Sequence, residues 1–341
     1  GKRVLITGAG GSIASELCRQ ISRWDPAELI LLGHGENSIF EIMVELEASF
    51  PAMVLHPVIA DIRNKERMQA VFKKFSPQIV FHAAAHKHVY LMEKNIEEAI
   101  TNNILGTDNI VEVAYQTQVE RLVMISTDKA VRPTSIYGAT KRIAEMIVQD
   151  AAEKYQQTYS VVRFGNVLGS RGSVVPLFKR QIAAGGPVTL THPEMERYFM
   201  TIPEAVHLVL QAFAMGVGGE IFLLNMGQPV NIMELAQDLI RLSGLEPDED
   251  IKIEITGIKP GEKLSEELWD PGAKYQDTLH PEITRLGDEN GVQSSEFKSK
   301  VKQIIDLAVQ GQEQQVIEIL GSIIPGAEIR KTPPAELTWD I

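Results

Sequence analysis

Short apolar runs alternate with amphipathic stretches along the first half of the chain. Such runs are typical of strands buried on both faces, and apolar residues spaced three and four apart are typical of helices. The predicted strands are Arg3 to Thr7, Glu28 to Leu32, Val54 to Ile59, Gln78 to His82, Arg121 to Ser126 and Tyr159 to Phe164. The predicted helices are Ser12 to Trp24, Asn37 to Phe50, Glu97 to Gln116 and Tyr137 to Lys154. This order predicts an α/β fold, a doubly wound parallel sheet with helices on both faces.

After Arg163 the pattern changes, because Gly and Pro become frequent, as in loops around a ligand. The elements predicted there are helices at Pro203 to Met215 and Ile232 to Ser243, a strand at Ile251 to Thr256, a loop-rich segment from Pro271 to Gly291, and one or two helices within Ser294 to Gly321. We therefore expect a smaller C-terminal α/β region, followed by an extended tail.

A glycine-rich turn, Thr7 to Ala14, joins the first strand to the first helix. Its predicted ligand-binding residues are Gly8, Gly10, Gly11, Ser12 and Ile13. Glycine lets the backbone approach a pyrophosphate, and the helix N-terminus offers N–H groups and a favourable dipole. The strand-turn-helix context favours a dinucleotide site over an ordinary tight turn.

The choice of dinucleotide stays open. Gly33 stands where an acidic residue would bind the adenosine ribose, so either Glu36 replaces that acid or the gap, together with His34, admits a 2′-phosphate. Asp61 and Ile62 follow the third strand and are candidates for the adenine edge. We expect NAD or NADP.

The stretch from Ser126 to Lys141 holds the largest group of side chains that could carry out chemistry. Ser126 to Lys129 would lie at the carboxyl end of a buried strand, the edge where ligands bind in open α/β sheets. Tyr137 and Lys141 are four apart on a predicted helix and share one face. An ammonium near a phenol lowers the pKa of the phenol, so we expect Tyr137 to act as a base near neutral pH.

Three histidines lie at and just after the end of the fourth strand: His82 ends the strand, and His86 and His88 follow a run of three alanines. No carboxylate or cysteine completes a metal site beside them, so we predict no bound metal. Ala83 and Ala84 would let the backbone lie close to the cofactor, and Lys87 would face a substrate phosphate.

Polar and cationic residues in later predicted loops suggest an anion pocket for the substrate. The candidates are Asn166, Arg171, Arg197, Lys259 and, in the same stretch as Lys259, Glu262.

The net charge of −12 makes a nucleic-acid or anionic-membrane partner unlikely on electrostatic grounds. Cys18 has no second cysteine to pair with, which suits a reducing compartment. No apolar segment approaches the ~18 residues needed to span a bilayer. Because Gly1 leads directly into a strand, we expect the chain to be an excised piece of a longer parent. Whether that parent carries a membrane anchor upstream stays an open alternative. The expected location is the cytoplasm, as a free protein or as the cytoplasmic domain of an anchored one.

Together these residues resemble the extended short-chain dehydrogenase/reductase superfamily and, within it, the UDP-N-acetylglucosamine 4,6-dehydratases of bacterial polysaccharide and glycan biosynthesis. The resemblance runs from Lys2 to about Trp269. It is carried by TGAGGSIASEL, HAAAHKHV, STDKAVRPTSIYGATKR, VVRFGNVLGSRGSVVPLF, RYFMTIPEA and KPGEKLSEEL.

The resemblance implies roles for five residues. Thr127 would supply the catalytic hydroxyl, Tyr137 the base at the C4 hydroxyl, and Lys141 a contact to the nicotinamide ribose. After C4 oxidation, Lys129 would take the C5 proton and Asp128 would protonate the C6 hydroxyl, so that water leaves. Hydride would return to C6 and regenerate a tightly bound NAD or NADP. The product would be a UDP-4-keto-6-deoxy-N-acetylhexosamine.

One tension remains, since adjacent Asp128 and Lys129 would favour carboxylate and ammonium, the wrong states for an acid and a base. The alternatives are a nucleotide-sugar C4-epimerase and a non-catalytic dinucleotide-binding regulator. The resemblance also implies a homo-oligomer, a dimer or larger, with the helices Glu97 to Gln116 and Tyr137 to Lys154 facing a partner.

The predicted domain organisation follows from these assignments. Residues 1–165 form a dinucleotide-binding Rossmann domain, which also receives elements from about 198–230. Residues 166–325 form mainly the substrate-binding region, and 326–341 the tail.

Overall fold

A nine-stranded sheet forms the centre of the structure, a computed structural model that describes residues 1–270, 272–287 and 294–330. Its strand order is β14-β15-β11-β6-β5-β4-β1-β2-β3. Within this sheet, neighbouring strands pair in parallel all along the order β11-β6-β5-β4-β1-β2-β3. In contrast, β15 is antiparallel to both β11 and β14. The predicted fold class is confirmed.

The strands follow the apolar runs. They are β1 Arg3–Thr7, β2 Glu28–Gly33, β3 Leu55–Ile59, β4 Ile79–His82, β5 Arg121–Thr127, β6 Thr158–Phe164, β7 Asn166–Val167, β8 Val188–Leu190, β9 Glu196–Arg197, β10 Phe199–Met200, β11 Ile221–Leu224, β12 Val230–Asn231, β13 Ile253–Ile255, β14 Tyr275–Asp277 and β15 Ile283–Leu286.

Side chains cap the start of some of the helices: the Ser135 hydroxyl accepts from the Gly138 amide, and the Thr201 side chain accepts from the Glu204 amide at the start of a helix with Pro203 in its first turn. They are α1 Ser12–Ser22, α2 Glu36–Ser49, α3 Lys65–Phe75, α4 Val89–Lys94, α5 Ile96–Ile100, α6 Gly106–Gln116, α7 Ile136–Tyr155, α8 Val174–Ala183, α9 Ile202–Met215, α10 Ile232–Leu242, α11 Ser294–Val309 and α12 Glu313–Ile323.

Two apolar cores lie on the two faces of the sheet, because successive strand residues point in opposite directions. Leu5 and Ile30 pack into one core with α7 and α11, whereas Ile6 and Leu31 pack into the other with α1 and α9. From the neighbouring strands β1 and β4, the order of strands runs in opposite directions: β2 and β3 follow β1 toward one edge, and β5 and β6 follow β4 toward the other. Their carboxyl ends therefore border the crevice where this fold binds ligands.

A third, smaller core lies in the second half of the chain. Phe178 of α8, Leu190 of β8, Ile240 of α10 and Ile251 pack together there. This core supports the pairing of β8 with β13 and of β9 with β12. The expected smaller α/β region is present around it.

Several elements differ from the sequence-based expectations, among them strand β11 and helices α4 and α8, where no element was predicted. The segment from Pro271 to Gly291 is not simply loop, because β14 and β15 extend the main sheet within its described part. The helix expected from Glu97 to Gln116 is interrupted by a π-helical turn, Thr101–Leu105. Helix α3 was not predicted, because its charged residues outnumber the three apolar residues that it buries, Met68, Val71 and Phe72.

Helix α11 packs on one face of α5 and α7, which lie in the segments that were expected to meet a partner, and α12 packs on α11. Phe297 and Ile304 of α11 are buried in the same core as Ile100 and Ile147. This face of α5 and α7 is thus covered by the chain's own helices, and the expected homo-oligomer stays a prediction.

The predicted domain boundaries also stay a prediction, although α11 and α12, which they assign to the substrate region, pack on the main core. The tail beyond residue 330 lies outside the described residues. In the described part of the chain, no helix is both long and apolar enough to cross a membrane.

Candidate active site

A groove of about 260 Å³ opens at the crevice between β1 and β4. Of the residues predicted to bind the cofactor, it is lined by Gly8, Gly10, Gly11, Asp61, Ile62, Ala83 and Ala84. The groove is also lined by His34 and His86, and by Ser38 and Asn102, which the sequence did not single out. The groove therefore brings together the ends of β1, β2, β3 and β4, which are far apart in sequence.

The glycine-rich turn fits the pyrophosphate of a dinucleotide. Gly8 has a φ of +67°, and a Cβ there would lie 2.9 Å from Ala84 Cα, so only glycine lets the turn and β4 approach this closely. Gly11 precedes α1 without a side-chain cap, which leaves the first helical N–H groups able to bind an anion. Ser12 and Ile13 are the first residues of α1.

Two of the predicted adenosine contacts differ in their surroundings. Asp61 lines the groove, and its carboxylate accepts hydrogen bonds from Arg63 Nε and Nη2 at distances of 2.7–3.1 Å. This arginine lowers the pKa of Asp61. Glu36, in contrast, is exposed at the start of α2 and is not among the residues that line the groove. The choice between NAD and NADP is not settled by these contacts.

Arg171 lies over the glycine-rich turn. Its amide donates to Ser12 Oγ at 3.0 Å, and its Nη1 donates to the Gly10 carbonyl at 3.2 Å. The structure places Arg171 among the residues that line the candidate cofactor groove, and its predicted role in substrate binding stays a prediction.

Asp128 and Lys129 lie at the carboxyl end of β5, in the short 3₁₀ turn Asp128–Ala130. Lys129 Nζ donates to Asp128 Oδ1 at 3.0 Å and to Asn166 Oδ1 at 3.1 Å. A second carboxylate, Glu266 Oε1, lies 3.5 Å from the same Nζ. Burial acts to lower the pKa of Lys129, but the carboxylates of Asp128 and Glu266 raise it above its usual range. Lys129 is thus an ammonium held between two acids.

Tyr137 and Lys141 do not form the pair that the sequence suggested. Lys141 Nζ donates to the Ile125 carbonyl at 2.8 Å, and burial lowers its pKa to about 8. Burial raises the pKa of Tyr137 to about 12, opposed by the Lys129 ammonium and by a hydrogen bond with Thr127. The expectation that Lys141 lowers the pKa of Tyr137 is therefore wrong for this structure, in which Lys129 is the cation that does so.

The remaining predicted substrate contacts fall into two groups. Lys87 lies near Lys129: its Nζ donates to Ser170 Oγ at 3.3 Å, and burial together with Lys129 lowers its pKa. Arg197 also lies near Lys129, and its guanidinium donates to the carbonyls of Glu196, Lys263 and Leu264. Both residues therefore lie, like Asn166, near the group formed by Asp128, Lys129 and Glu266.

Lys259 and Glu262 form a turn of their own. The Lys259 amide donates to Glu262 Oε2 at 3.1 Å, and Lys259 Nζ lies 5.5 Å from the centre of the Tyr90 ring. The loop is held against the segment before α7, where Thr134 donates to the Gly261 carbonyl. These contacts explain the loop's position, and the substrate-binding role of both residues stays a prediction.

A buried ionic network supports the strand that carries the site. Arg163 Nε and Nη2 each lie 2.7 Å from one oxygen of Glu145, and Arg163 Nη1 lies 2.6 Å from Asp270 Oδ2. Glu145 Oε1 also accepts from the hydroxyl of Ser126, which precedes Thr127. Burial acts to raise the pKa of Glu145, but Arg163 lowers it, so the glutamate is ionised. The network joins β5, β6, α7 and the 264–270 segment.

The three histidines of the fourth strand do not converge. His82 is buried between Thr7 and Thr107, and burial lowers its pKa to about 3, so it is neutral. His86 lies 3.5 Å from Glu98, and His88 lies against Gly172. Within the residues that the structure describes, no three His, Cys, Asp or Glu side chains are placed to share a metal ion.

Gly138 brings α7 against the turn that carries Lys129, since a Cβ at this position would overlap the Lys129 carbonyl oxygen. Gly138→Ala is therefore expected to lower the free energy of unfolding by about 1–3 kcal/mol. The matched control is Gly321→Ala on α12, where nothing lies within 4 Å of the added methyl. That change should stabilise the helix by about 0.5–1 kcal/mol. Urea unfolding measures both, and equal effects would contradict the close contact.

Glu266 is the main functional candidate that sequence reasoning missed. It lies in KPGEKLSEEL, where Glu262 was chosen instead. The motif contains three glutamates, and only the folded chain shows that Glu266 is the one whose side chain is buried against Lys129.

Comparison with known proteins identifies relatives of this chain. Residues 4–288 match the family described as polysaccharide biosynthesis protein. The capsular polysaccharide biosynthesis protein CapD of Staphylococcus aureus is 59% identical over 286 residues, 83% of this chain and 48% of CapD. The chain thus spans about half the length of that relative. A UDP-N-acetylglucosamine 4,6-dehydratase (inverting) of Campylobacter jejuni is 35% identical over 271 residues, 78% of this chain and 77% of the dehydratase.

A solved structure shows the same fold. Pen from Bacillus thuringiensis superimposes with a TM-score of 0.77 at 31% identity, covering 89% of this chain and 97% of Pen. The resemblance inferred from the motifs is confirmed, and the chain belongs to the polysaccharide biosynthesis protein family.

Proposed function

We propose that this protein is an NAD(P)-dependent nucleotide-sugar 4,6-dehydratase that converts UDP-N-acetylglucosamine to a UDP-4-keto-6-deoxy-N-acetylhexosamine. The observation that carries the proposal is the buried Asp128–Lys129 pair beside Thr127 and Tyr137. A simple C4 oxidation needs a hydroxyl and a base, whereas removal of water also needs an acid at C6 and a base at C5.

The glycine-rich turn and the N-terminus of α1 would hold the dinucleotide pyrophosphate, with Lys141 at the nicotinamide ribose. When bound, the nicotinamide would accept hydride from C4 and return it to C6.

The chain's own residues would move the protons. Tyr137 takes the proton of the C4 hydroxyl, with Thr127 hydrogen-bonded to it. Burial raises the pKa of Tyr137, the Lys129 ammonium opposes that rise, and a further cation bound nearby would lower the pKa. Lys129 and Asp128 then act at C5 and C6. Lys87, Asn166 and Arg197, grouped around Lys129, would orient the sugar and its phosphates.

The proposal is tested by incubating the purified protein with UDP-N-acetylglucosamine in heavy water, without added cofactor. We expect a product lighter than the substrate by one water, apart from deuterium incorporated at C5. An isobaric product would indicate the C4-epimerase alternative, and an unchanged sugar would contradict both enzymes.

A further inference from the structure

A short segment between β7 and α8, residues 169–172, lies against the glycine-rich turn. The amide of Arg171 donates to Ser12 Oγ at 3.0 Å, and Nη1 of its guanidinium donates to the Gly10 carbonyl at 3.2 Å. Arg171 is also one of the residues that line the candidate cofactor groove. The segment therefore reaches from the strand that carries Asn166 to the turn where a dinucleotide pyrophosphate would bind.

This segment has no apolar side chain to pack into a core, because its sequence is Gly-Ser-Arg-Gly. Besides the two bonds to the turn, Lys87 Nζ donates to Ser170 Oγ at 3.3 Å, and Arg171 Nη2 pairs with Glu41 Oε2 at 2.8 Å. The side chains of Arg171 and Glu41 are 65% and 63% exposed, and an exposed ion pair contributes little to stability. A segment with few apolar contacts and exposed polar ones opens at a low cost in free energy.

Glycines lie at both ends of the segment. Gly169 has a φ of +74° and Gly172 a φ of +70°, a region that glycine adopts without strain. Both glycines are exposed. Such positions can absorb the change in backbone angles when a loop moves over a binding site. The segment thus combines polar contacts at its tip with hinge positions at its ends.

We propose that residues 169–172 form a latch over the cofactor groove, and that Arg171 holds this latch shut so that a bound dinucleotide is retained. The purpose of the latch rests on the proposed dehydratase function, in which the hydride taken from C4 must return to C6 of the same sugar. A dinucleotide that left in between would carry the hydride away and leave the sugar oxidised at C4. Retention of the dinucleotide therefore protects the reaction from stopping halfway.

A latch differs from an ordinary phosphate contact in its effect on binding rates. The contacts of Arg171 with Gly10, Ser12 and Glu41 join two parts of the protein, so the closed segment slows both entry and release of a dinucleotide. A guanidinium that only bound phosphate would slow release, but it would speed entry, because its positive charge attracts the anionic dinucleotide.

Stopped-flow fluorescence with NADH, and with NADPH in parallel, tests the latch without any sugar. Arg171→Met is expected to raise both the association rate and the dissociation rate about tenfold, the order expected for the loss of a charged hydrogen bond. The matched control is Arg180→Met, which removes an exposed arginine of α8 and should leave both rates near those of wild type. Unchanged rates in Arg171→Met would overturn the proposal. Faster dissociation with slower association would also overturn it, because this result identifies an ordinary phosphate contact.

Glu41→Gln provides a second variant, because Glu41 is not among the residues that line the groove. It weakens the outer contact of the latch, so dissociation should become faster by at most about fivefold, the limit for an exposed ion pair. Slower dissociation would contradict the latch, since it would mean that Glu41 competes with the dinucleotide for Arg171. These rates need no sugar, so they test the latch even if the proposed dehydration is wrong.

Discussion

Lys129→Met is expected to lower the rate of water elimination about a hundred- to ten-thousand-fold, the range that a positioned general base contributes. Methionine fills similar space but cannot take a proton from C5. Substrate binding should persist, because Lys87, Asn166 and Arg197 remain. The measurement is the mass of the sugar product formed in heavy water, which reports loss of water and exchange at C5 together.

The charge of Lys129 can be separated from its proton transfer. Lys129→Met leaves Asp128 and Glu266 without their shared ammonium, so some loss of stability is expected as well. Lys129→Arg keeps the positive charge but cannot be deprotonated, so it should be stable and still inactive. Lys179→Met, at an exposed position on α8, is the control for the substitution itself. Dehydration by Lys129→Arg at the wild-type rate would contradict the role of Lys129 as the C5 base.

Arg163→Met is expected to lower the free energy of unfolding by about 3–5 kcal/mol, because it leaves buried Glu145 without its main partner. Arg142 lies 3.2 Å from the same carboxylate but does not replace the two-point contact that Arg163 makes. The change also releases Asp270, on the segment that positions Glu266. Chemical unfolding followed by circular dichroism gives the measurement.

The matched control for this prediction is Arg241→Met. Arg241 pairs with Asp238 at 3.4 Å on an exposed face of α10, where an ion pair contributes about 0–1 kcal/mol. If both variants unfolded at the same urea concentration, the buried network could not be a main source of stability.

The parallel strands of the main sheet other than β11, and most of the helices, were predictable from the sequence. Apolar runs mark strands such as β1 and β5, because a strand buried on both faces of a parallel sheet has no polar side to interrupt the run. The glycine-rich turn was equally clear, because Gly8 must adopt a positive φ close to β4. The alternation of strands and helices was enough to predict the sheet class.

Short edge elements were not predictable. The strands β14 and β15 lie in a polar segment, and they are strands because β15 pairs with β11 and β14 pairs with β15, which supplies partners for their backbone groups. Helix α11 carries an ordinary amphipathic pattern, which does not reveal the face on which it packs. Its position over α5 and α7 depends on contacts between residues about two hundred positions apart in sequence.

For the candidate site, too, one part was predictable from the sequence and another was not. The residue types of the candidate catalytic group and their position after a buried strand follow from the sequence, because Thr127, Asp128 and Lys129 are adjacent in the chain and the end of a strand places them together. The folded arrangement of the chain sets which charges meet. It turned Lys141 toward the Ile125 carbonyl, placed Arg171 at the glycine-rich turn, and brought Glu266 to Lys129. The physical reason is that charges interact according to distance and burial in space, and spacing along the chain does not determine either of these across different elements.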